Sequence, residues 1–317
     1  MHGSSNSQAP VESDAPATGP GTRTRSKVRA AISSLRIHQW AKNLLLFAPL
    51  VLDHRMGSAR PAWMALLGFA TFSLCASSLY IVNDLRDKEH DRKHPVKRFR
   101  PFASGELGVA EGVVLALLLG FTAFGASVLM APREFTGELA LYAVATFAYS
   151  LYFKRKLALD VLFLAGFYSI RILAGGAITG VEVTSWLIAF STCFFLSLAL
   201  MKRVLEIDPA SLAQEPLEGR GYRRGDLGVV QSAGVATAFL SIVVFSLYIA
   251  IGSNAQLHYR HPQRLWLMAP VLTYWFLRLW ILAGRREVDG DPVLFAVRDP
   301  VSWVSGILGL GVVALSA

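Results

Sequence analysis

Long apolar runs alternate with shorter polar segments along this chain of 317 residues. Most of the runs have the roughly 20 residues that an α-helix needs to cross the hydrocarbon core of a bilayer. The pattern therefore predicts an all-α integral membrane protein with nine transmembrane helices in one bundle. The nine runs lie at about residues 37–52, 62–83, 107–130, 137–153, 157–178, 184–203, 228–251, 264–283 and 300–317.

The N-terminal segment differs in composition from the rest of the chain. Residues 1–22 are rich in Gly, Ala, Pro, Ser and Thr and contain no apolar core of the kind that a signal peptide needs. Basic residues follow directly. We predict a disordered basic tail over residues 1–30 and a single transmembrane catalytic domain over residues 31–317.

Charge gives the predicted bundle an orientation. The chain is 53% hydrophobic with a net charge of +9, and on a membrane protein a basic excess is more often an orientation signal than a sign of nucleic-acid binding. Of the 31 Lys and Arg residues, 23 lie on the side of the N-terminus and 5 on the other side. This asymmetry predicts a cytoplasmic N-terminus. Cys75 and Cys193 lie inside apolar runs, so neither a disulfide scaffold nor a zinc site is indicated.

An acidic stretch begins where the second apolar run ends, on the predicted cytoplasmic side. If the helix continues at 100° per residue, Asp84, Asp87 and Asp91 fall within roughly 60° of one another on one face. Clustered carboxylates repel one another, so the arrangement favours a divalent cation, and hard oxygen ligands indicate Mg²⁺. The alternative is a solvated, mixed-charge helix end in which Asp84 pairs with Lys88.

Basic residues form three clusters on the same predicted side. A metal ion with Lys and Arg nearby is a common way for proteins to hold a diphosphate, whereas the alternative is a patch that only sets membrane orientation. The first cluster follows the aspartates between two prolines, the second follows the fourth run, and the third ends the sixth run. Lys154 of the second cluster is a catalytic candidate. The candidate substrate-binding residues of the three clusters, together with the residue that precedes Asp84, are Asn83, Lys97, Arg98, Arg100, Tyr149, Lys202, Arg203 and Glu206.

Two cations lie inside apolar runs. Lys42 is a catalytic candidate in the first run. Arg171, in the fifth, is costly at membrane depth and so is a substrate-binding candidate, with a structural ion pair to another helix as the alternative. Gly175 and Gly176 favour close helix packing over phosphate binding. The last three runs are predicted to form a wall, with residues 289–299 as a rim of the site.

The acidic stretch NDLRDKEHD resembles the NDxxDxxxD motif of the UbiA superfamily of intramembrane prenyltransferases, and the resemblance covers about residues 31–317. The continuation DRKHPVKRFRPFASGEL, with YSLYFK, IRILAGG and KRVLE, is similar to the decaprenyl-phosphate phosphoribosyltransferase branch. The resemblance implies a nine-helix bundle of the UbiA type. It also implies that Asp84, Asp87 and Asp91 bind Mg²⁺ against a diphosphate.

The resemblance implies transfer of the 5-phosphoribosyl group of phosphoribosyl pyrophosphate to a polyprenyl phosphate such as decaprenyl phosphate, in a bacterial-type inner (plasma) membrane. Aromatic-prenylating members carry a second aspartate-rich motif after the sixth helix, and this chain has no DxxD spacing there. Polyprenyl transfer to an aromatic or quinone-precursor acceptor remains an alternative. A transporter of an anionic substrate is another, although the sequence has no internal repeat.

Overall fold

Helices account for all the regular secondary structure in the described residues of this computed structural model, which are 20–53, 57–207, 221–252, 259–288 and 290–317. The predicted all-α class is therefore confirmed. The α-helices are α1 Pro20–Ser34, α2 Ala48–Leu52, α3 Ala59–Arg86, α4 Lys88–Lys93, α5 Pro101–Ser104, α6 Val109–Met130, α7 Arg133–Leu151, α8 Leu159–Thr179, α9 Ser185–Glu206, α10 Leu227–Ile251, α11 Met268–Gly284, α12 Pro292–Arg298 and α13 Pro300–Ser316. The 3₁₀ helices are Ile37–Phe47, Lys97–Phe99, Phe153–Arg155, Arg224–Asp226 and Pro262–Leu267.

Six of the described helices are long and apolar enough to cross a membrane, or seven if α12 and α13, bent by 83°, form one broken span. The predicted count of nine is not confirmed. The first run is a 3₁₀ helix followed by the short α2, and α7 has Arg133, Glu134 and Glu138 near its start, which leaves a short apolar part. The six spans are Ala59–Arg86, Val109–Met130, Leu159–Thr179, Ser185–Glu206, Arg224–Ile251 and Pro262–Gly284.

The N-terminal segment contains the first described helix. Residues 20–30 belong to α1, and the tail predicted over residues 1–30 stays a prediction. Ala30 is buried beside Phe102 and Ile81, so this part of α1 packs on the bundle. Residues 1–19 lie outside the described residues.

Helix α8 lies between the two largest hydrophobic clusters of the described residues. One face, with Ala165 and Ile172, packs against α9 and belongs to the cluster that α9 forms with α10 and α11. Another face, with Ala174 and Ile178, packs against α3 and α7. Because neighbouring helices pack on both faces of α8, the α8 side chains that lie between the two clusters are held in fixed positions.

Gly175 brings the 3₁₀ helix Ile37–Phe47 close to α8. A Cβ atom at position 175 would lie 2.2 Å from the carbonyl oxygen of Leu46, and one at Gly176 would lie 2.4 Å from a methyl carbon of Val183. Both glycines thus permit close backbone packing, in agreement with the sequence prediction. This close approach places Lys42 and Asn43 beside α8.

Candidate active site

A cavity of about 320 Å³ opens among the 3₁₀ helix Ile37–Phe47, α3, α7, α8 and α9. It contains many of the polar residues that the sequence singled out, together with aromatic side chains. A second cavity of about 630 Å³ is lined mainly by apolar side chains of α9, α10, α11 and α13 and contains none of the predicted site residues. The polar lining of the first cavity includes Arg36, Gln39, Lys42, Tyr80, Asn83, Arg86, Tyr142, Tyr149, Tyr168, Arg171, Lys202 and Asp291.

Asp84, Asp87 and Asp91 do not line this cavity, although their neighbours Asn83 and Arg86 do. The three carboxylates are held by cations. Asp84 is 3% exposed, and Nη2 of Arg36 lies 2.5 and 2.8 Å from its two carboxylate oxygens. Nη1 of Arg100 lies 3.2 Å from Oδ1 of Asp84 and 2.6 Å from Oδ2 of Asp91. Two of the three aspartates therefore meet at one guanidinium nitrogen.

The Asp87 side chain does not join the other two aspartates at Arg100, whereas the sequence predicted all three on one helix face. Helix α3 ends at Arg86 and α4 begins at Lys88, so the helix is interrupted at Asp87. The Asp87 carboxylate lies 3.2 Å from Nζ of Lys154. The described residues contain no group of three or more acidic, His or Cys side chains that could hold a metal ion. The three-aspartate metal site consequently stays a prediction, and the geometry brings together only two of its members.

Other predicted residues divide between the cavity and the surface. Asn83 lines the cavity and accepts a hydrogen bond from the Ser150 hydroxyl. Tyr149 lines it as well, with its ring against Phe167. Lys97 and Arg98 lie in the 3₁₀ helix Lys97–Phe99 and do not line the cavity. Of the first basic cluster, Arg100 is thus the residue that reaches the aspartates.

Arg203 and Glu206 are not part of the cavity lining, in contrast to the substrate-binding role predicted for them. Arg203 is 1% exposed, its Nε lies 2.8 Å from Oδ2 of Asp160, and it pairs with Glu206 one turn along α9. The hydroxyl of Tyr222 donates to Oδ1 of Asp160 at 2.7 Å. This buried ion pair ties α9 to α8, and nothing in its position gives a substrate access.

The buried pair leads to a prediction about stability. Arg203→Met removes the guanidinium partner of the buried Asp160 carboxylate, and breaking a buried ion pair in this way typically costs roughly 3–5 kcal/mol of folding free energy. We expect a lower melting temperature in detergent and little change in turnover per folded molecule. Replacing both partners with apolar residues should restore much of the stability. Lost turnover at an unchanged melting temperature would instead support the substrate-binding role that the sequence predicted for Arg203.

Arg171 is buried but faces the cavity. Its Nε donates to Oδ1 of Asn43 at 2.8 Å, Nη2 donates to the Tyr142 hydroxyl at 3.2 Å, and Nη1 donates to the carbonyl of Phe167. The guanidinium also lies 4.9 Å from the ring centre of Tyr142. Its hydrogen-bond partners are neutral groups, so the carboxylate pair considered from the sequence is not found among the described residues.

Lys42 and Lys202 share one carboxylate. Nζ of Lys42 lies 2.7 Å, and Nζ of Lys202 lies 3.2 Å, from Oδ2 of Asp291. Burial by itself would raise the pKa of Asp291, but the two ammonium groups hold that pKa well below its usual range. Asp291 is therefore ionised at neutral pH.

Sequence reasoning missed Arg36 and Asp291. Arg36 has φ 51° and ψ 48°, a left-handed conformation that costs a non-glycine residue about 1–3 kcal/mol and often marks functional sites. Asp291 belongs to the segment predicted as a rim, where it caps α12 and precedes Pro292. The available sequence clue for Asp291 was the helix-start signal Asp291-Pro292, which does not indicate its lysine partners.

A family model described as the UbiA prenyltransferase family matches residues 46–305. The chain belongs to the UbiA prenyltransferase family. Nodulation protein NoeC of Azorhizobium caulinodans is 34% identical over 281 residues, which cover 87% of this chain and 89% of that protein. An uncharacterized protein of Sinorhizobium fredii is 37% identical over 282 residues. That match covers 89% of this chain, and this chain therefore spans about half, 54%, of the length of that relative.

Two further likenesses concern the enzyme branch and the fold. The decaprenyl-phosphate phosphoribosyltransferase of Mycobacterium tuberculosis is 32% identical over 178 residues, which cover 54% of this chain and 58% of that enzyme. A solved UbiA homolog from Archaeoglobus fulgidus bound to GPP and Mg²⁺ has a TM-score of 0.65 at 15% identity, covering 90% of this chain and 99% of its own. This UbiA-family protein is thus an integral membrane protein with the UbiA fold.

Proposed function

We propose that this UbiA-family transferase moves the 5-phosphoribosyl group of phosphoribosyl pyrophosphate to a polyprenyl phosphate, with release of diphosphate, at the cytoplasmic face of a bacterial inner membrane. The observation that carries the proposal is that the described residues contain two separate cationic sets, one around the aspartates and one inside the cavity. Arg36 and Arg100 surround the aspartates, whereas Lys42 and Lys202 gather at Asp291. Tyr80 lies within electrostatic range of Arg36 and Asp84 from the first set and of Asp291, the carboxylate between the two lysines.

Two cationic sets suit substrates with several separate phosphates. Phosphoribosyl pyrophosphate carries a diphosphate and a 5-phosphate, and the lipid acceptor carries one more, so several cationic groups are needed. Prenyl transfer to a neutral aromatic acceptor needs a site for one diphosphate only. The similarity to a decaprenyl-phosphate phosphoribosyltransferase supports the same choice.

Asp84 and Asp91 are the residues that would hold Mg²⁺. Their carboxylates already share one cationic nitrogen of Arg100, at 3.2 and 2.6 Å, and Mg²⁺ commonly binds one or two carboxylates together with substrate phosphates. The Mg²⁺ of the solved Archaeoglobus fulgidus homolog supports this assignment. When bound, the ion neutralises charge on the diphosphate.

The residues of this chain would bind and orient the two substrates. In the proposed reaction, an oxygen of the lipid phosphate forms a bond to ribose C1 while the bond from C1 to the diphosphate breaks. The acceptor is already anionic, so no general base is required. Lys154 and Arg100, next to Asp87 and Asp91, are positioned to stabilise the departing diphosphate. The larger apolar cavity suits the isoprenoid chain.

The assay that tests the proposal uses purified protein in detergent with labelled phosphoribosyl pyrophosphate. We expect consumption of this donor only when a polyprenyl phosphate is also present, because the acceptor supplies the nucleophile. EDTA should stop the reaction. The matched reaction with a polyprenyl diphosphate and 4-hydroxybenzoate should give no product. Prenylated 4-hydroxybenzoate, without use of phosphoribosyl pyrophosphate, would reverse the assignment.

A further inference from the structure

Asp291 is connected differently from the aspartates near Arg100. Its Oδ2 lies between Nζ of Lys42 and Nζ of Lys202. Its Oδ1 accepts hydrogen bonds from the backbone N–H groups of Val293, at 3.1 Å, and Leu294, at 3.4 Å. A carboxylate has about four lone-pair positions, so these four donors leave no acceptor position for a substrate hydroxyl. The residue therefore acts on the two lysines and on α12.

The segment that carries Asp291 is fixed at both ends. On one side, the Arg286 guanidinium donates to the carbonyls of Leu205, at 2.8 Å, and Ile207, at 2.5 Å, at the end of α9. On the other side, Asp299 caps α13 and makes two ion-pair contacts, of 2.7 and 2.9 Å, with Arg278 of α11. These anchors set the position from which the Asp291 carboxylate reaches into the cavity.

Positive charge exceeds negative charge around Asp291. Lys42 lies within electrostatic range of both Lys202 and Arg171, and all three line the cavity. Arg171 donates its hydrogen bonds to neutral groups, the Asn43 amide oxygen, the Tyr142 hydroxyl and the Phe167 carbonyl. Three cations thus face one carboxylate in a partly enclosed space, where unbalanced charge is costly. The excess favours a ligand with more negative charge than a carboxylate.

We propose that the Asp291 carboxylate is an internal anion that occupies a phosphate subsite formed by Lys42 and Lys202, and that a phosphate monoester of a substrate replaces it there. The inference rests on the proposed function for the identity of the ligand as a phosphate. Two sources share this chemistry, the 5-phosphate of phosphoribosyl pyrophosphate and the phosphate of the lipid acceptor.

The exchange requires only half of the hydrogen bonds of Asp291 to break. Oδ1 can keep its bonds to Val293 and Leu294 while Oδ2 releases the two lysines. A phosphate monoester carries about −2 charge near neutral pH and three terminal oxygens. It can contact both ammonium groups at once and also lie near Arg171. The lysines held by Asp291 before binding need little rearrangement to accept it.

Two substitutions separate this role from helix capping. Asn and Ser are both good N-cap residues, so Asp291→Asn and Asp291→Ser keep the cap of α12 and both remove the negative charge. The measurement is calorimetric binding of inorganic phosphate to the full chain in detergent, with EDTA and at low salt. We expect both variants to bind phosphate roughly tenfold more tightly than the parent protein, because a competing like charge is gone.

Asp299→Asn is the matched control, since it removes an equivalent cap charge from the other end of the same segment, away from the lysines. Its phosphate affinity should equal that of the parent. Adding Lys202→Met to Asp291→Asn should abolish the gain. Unchanged or weaker phosphate binding in both Asp291 variants, at parental melting temperatures, would overturn the proposal, as would an equal gain in Asp299→Asn.

Ribose 5-phosphate and farnesyl phosphate, titrated in the same way, identify the source of the phosphate. The subsite belongs to the donor if only ribose 5-phosphate shows the gain, and to the acceptor if only farnesyl phosphate shows it. Because these titrations involve no turnover, they separate the two conclusions. A binding gain in a protein that does not consume phosphoribosyl pyrophosphate contradicts only the proposed function, whereas normal turnover without the gain contradicts only the role of Asp291.

Discussion

The Asp84→Asn substitution is expected to lower turnover by roughly 10²- to 10³-fold, the size of effect that follows loss of one group stabilising developing charge. Asp84 is the carboxylate on which Arg36 and Arg100 converge. Asparagine keeps the shape but removes the charge that attracts a divalent cation and orients both guanidinium groups. Asp87→Asn, which loses the contact to Lys154, should also lower turnover, with a smaller effect on stability because Asp87 is less buried.

Turnover must be expressed per folded molecule, since Asp84 is buried and its loss leaves two arginines without their shared partner. Glu89→Gln is the matched control. Glu89 lies in the same acidic stretch, but its side chain is 76% exposed and pairs with Arg92 one turn away. We expect this variant to retain parental turnover and melting temperature. Parental turnover of Asp84→Asn throughout a Mg²⁺ titration would contradict the role of Asp84.

The sequence predicted well what depends on local pattern. Apolar runs located the long helices, and the spacing of Asp84 and Asp91 anticipated that their carboxylates would meet. It failed where a backbone detail decides the outcome. The helix interruption at Asp87 turns that side chain towards Lys154, and the left-handed conformation of Arg36 has no pattern of its own in a basic segment.

Contacts between residues far apart in the sequence also could not be predicted from the sequence. Lys42 and Asp291 are 249 positions apart and meet only because the first 3₁₀ helix packs against α8 while the segment before α12 is anchored on α9. Lys202 and Arg203 are neighbours in the sequence, yet one faces the cavity and the other lies in the core beside Asp160. The cytoplasmic end of α9 as predicted from the sequence thus contains both a candidate substrate-binding residue, Lys202, and a residue of a structural ion pair, Arg203.

Substitutions of Arg171 should reveal both structural and functional contributions, and we expect the structural one to be larger. The guanidinium joins three elements, because it donates to Asn43 of the 3₁₀ helix, to Tyr142 of α7 and to the Phe167 carbonyl of α8. Arg171→Ala removes all three bonds from a residue that is 3% exposed. Unsatisfied buried groups cost roughly 1–3 kcal/mol each, so the melting temperature should fall by several degrees or more.

Arg171→Lys separates charge from geometry. Lysine keeps a positive charge in the cavity but lacks the planar fork that reaches Asn43, Tyr142 and Phe167 together. We expect this variant to lose much of the same stability and to keep a large part of the turnover per folded molecule. Arg278→Lys is the matched control, because Arg278 is also an arginine within a membrane-spanning helix. It pairs with Asp299 and does not line the cavity. It should lose stability without any change in turnover.

The two measurements on the same preparations decide between the roles of Arg171. At about 1.5 Å per residue, its position on α8 lies roughly 16 to 17 Å along the axis from Asp160, yet the cavity that includes Asn83 also reaches it. A substrate phosphate can therefore approach Arg171 if it enters past the aspartates. Unchanged melting temperatures with lost turnover in both Arg171 variants would refute the structural role. Lower melting temperatures with parental turnover per folded molecule would refute a contact with substrate.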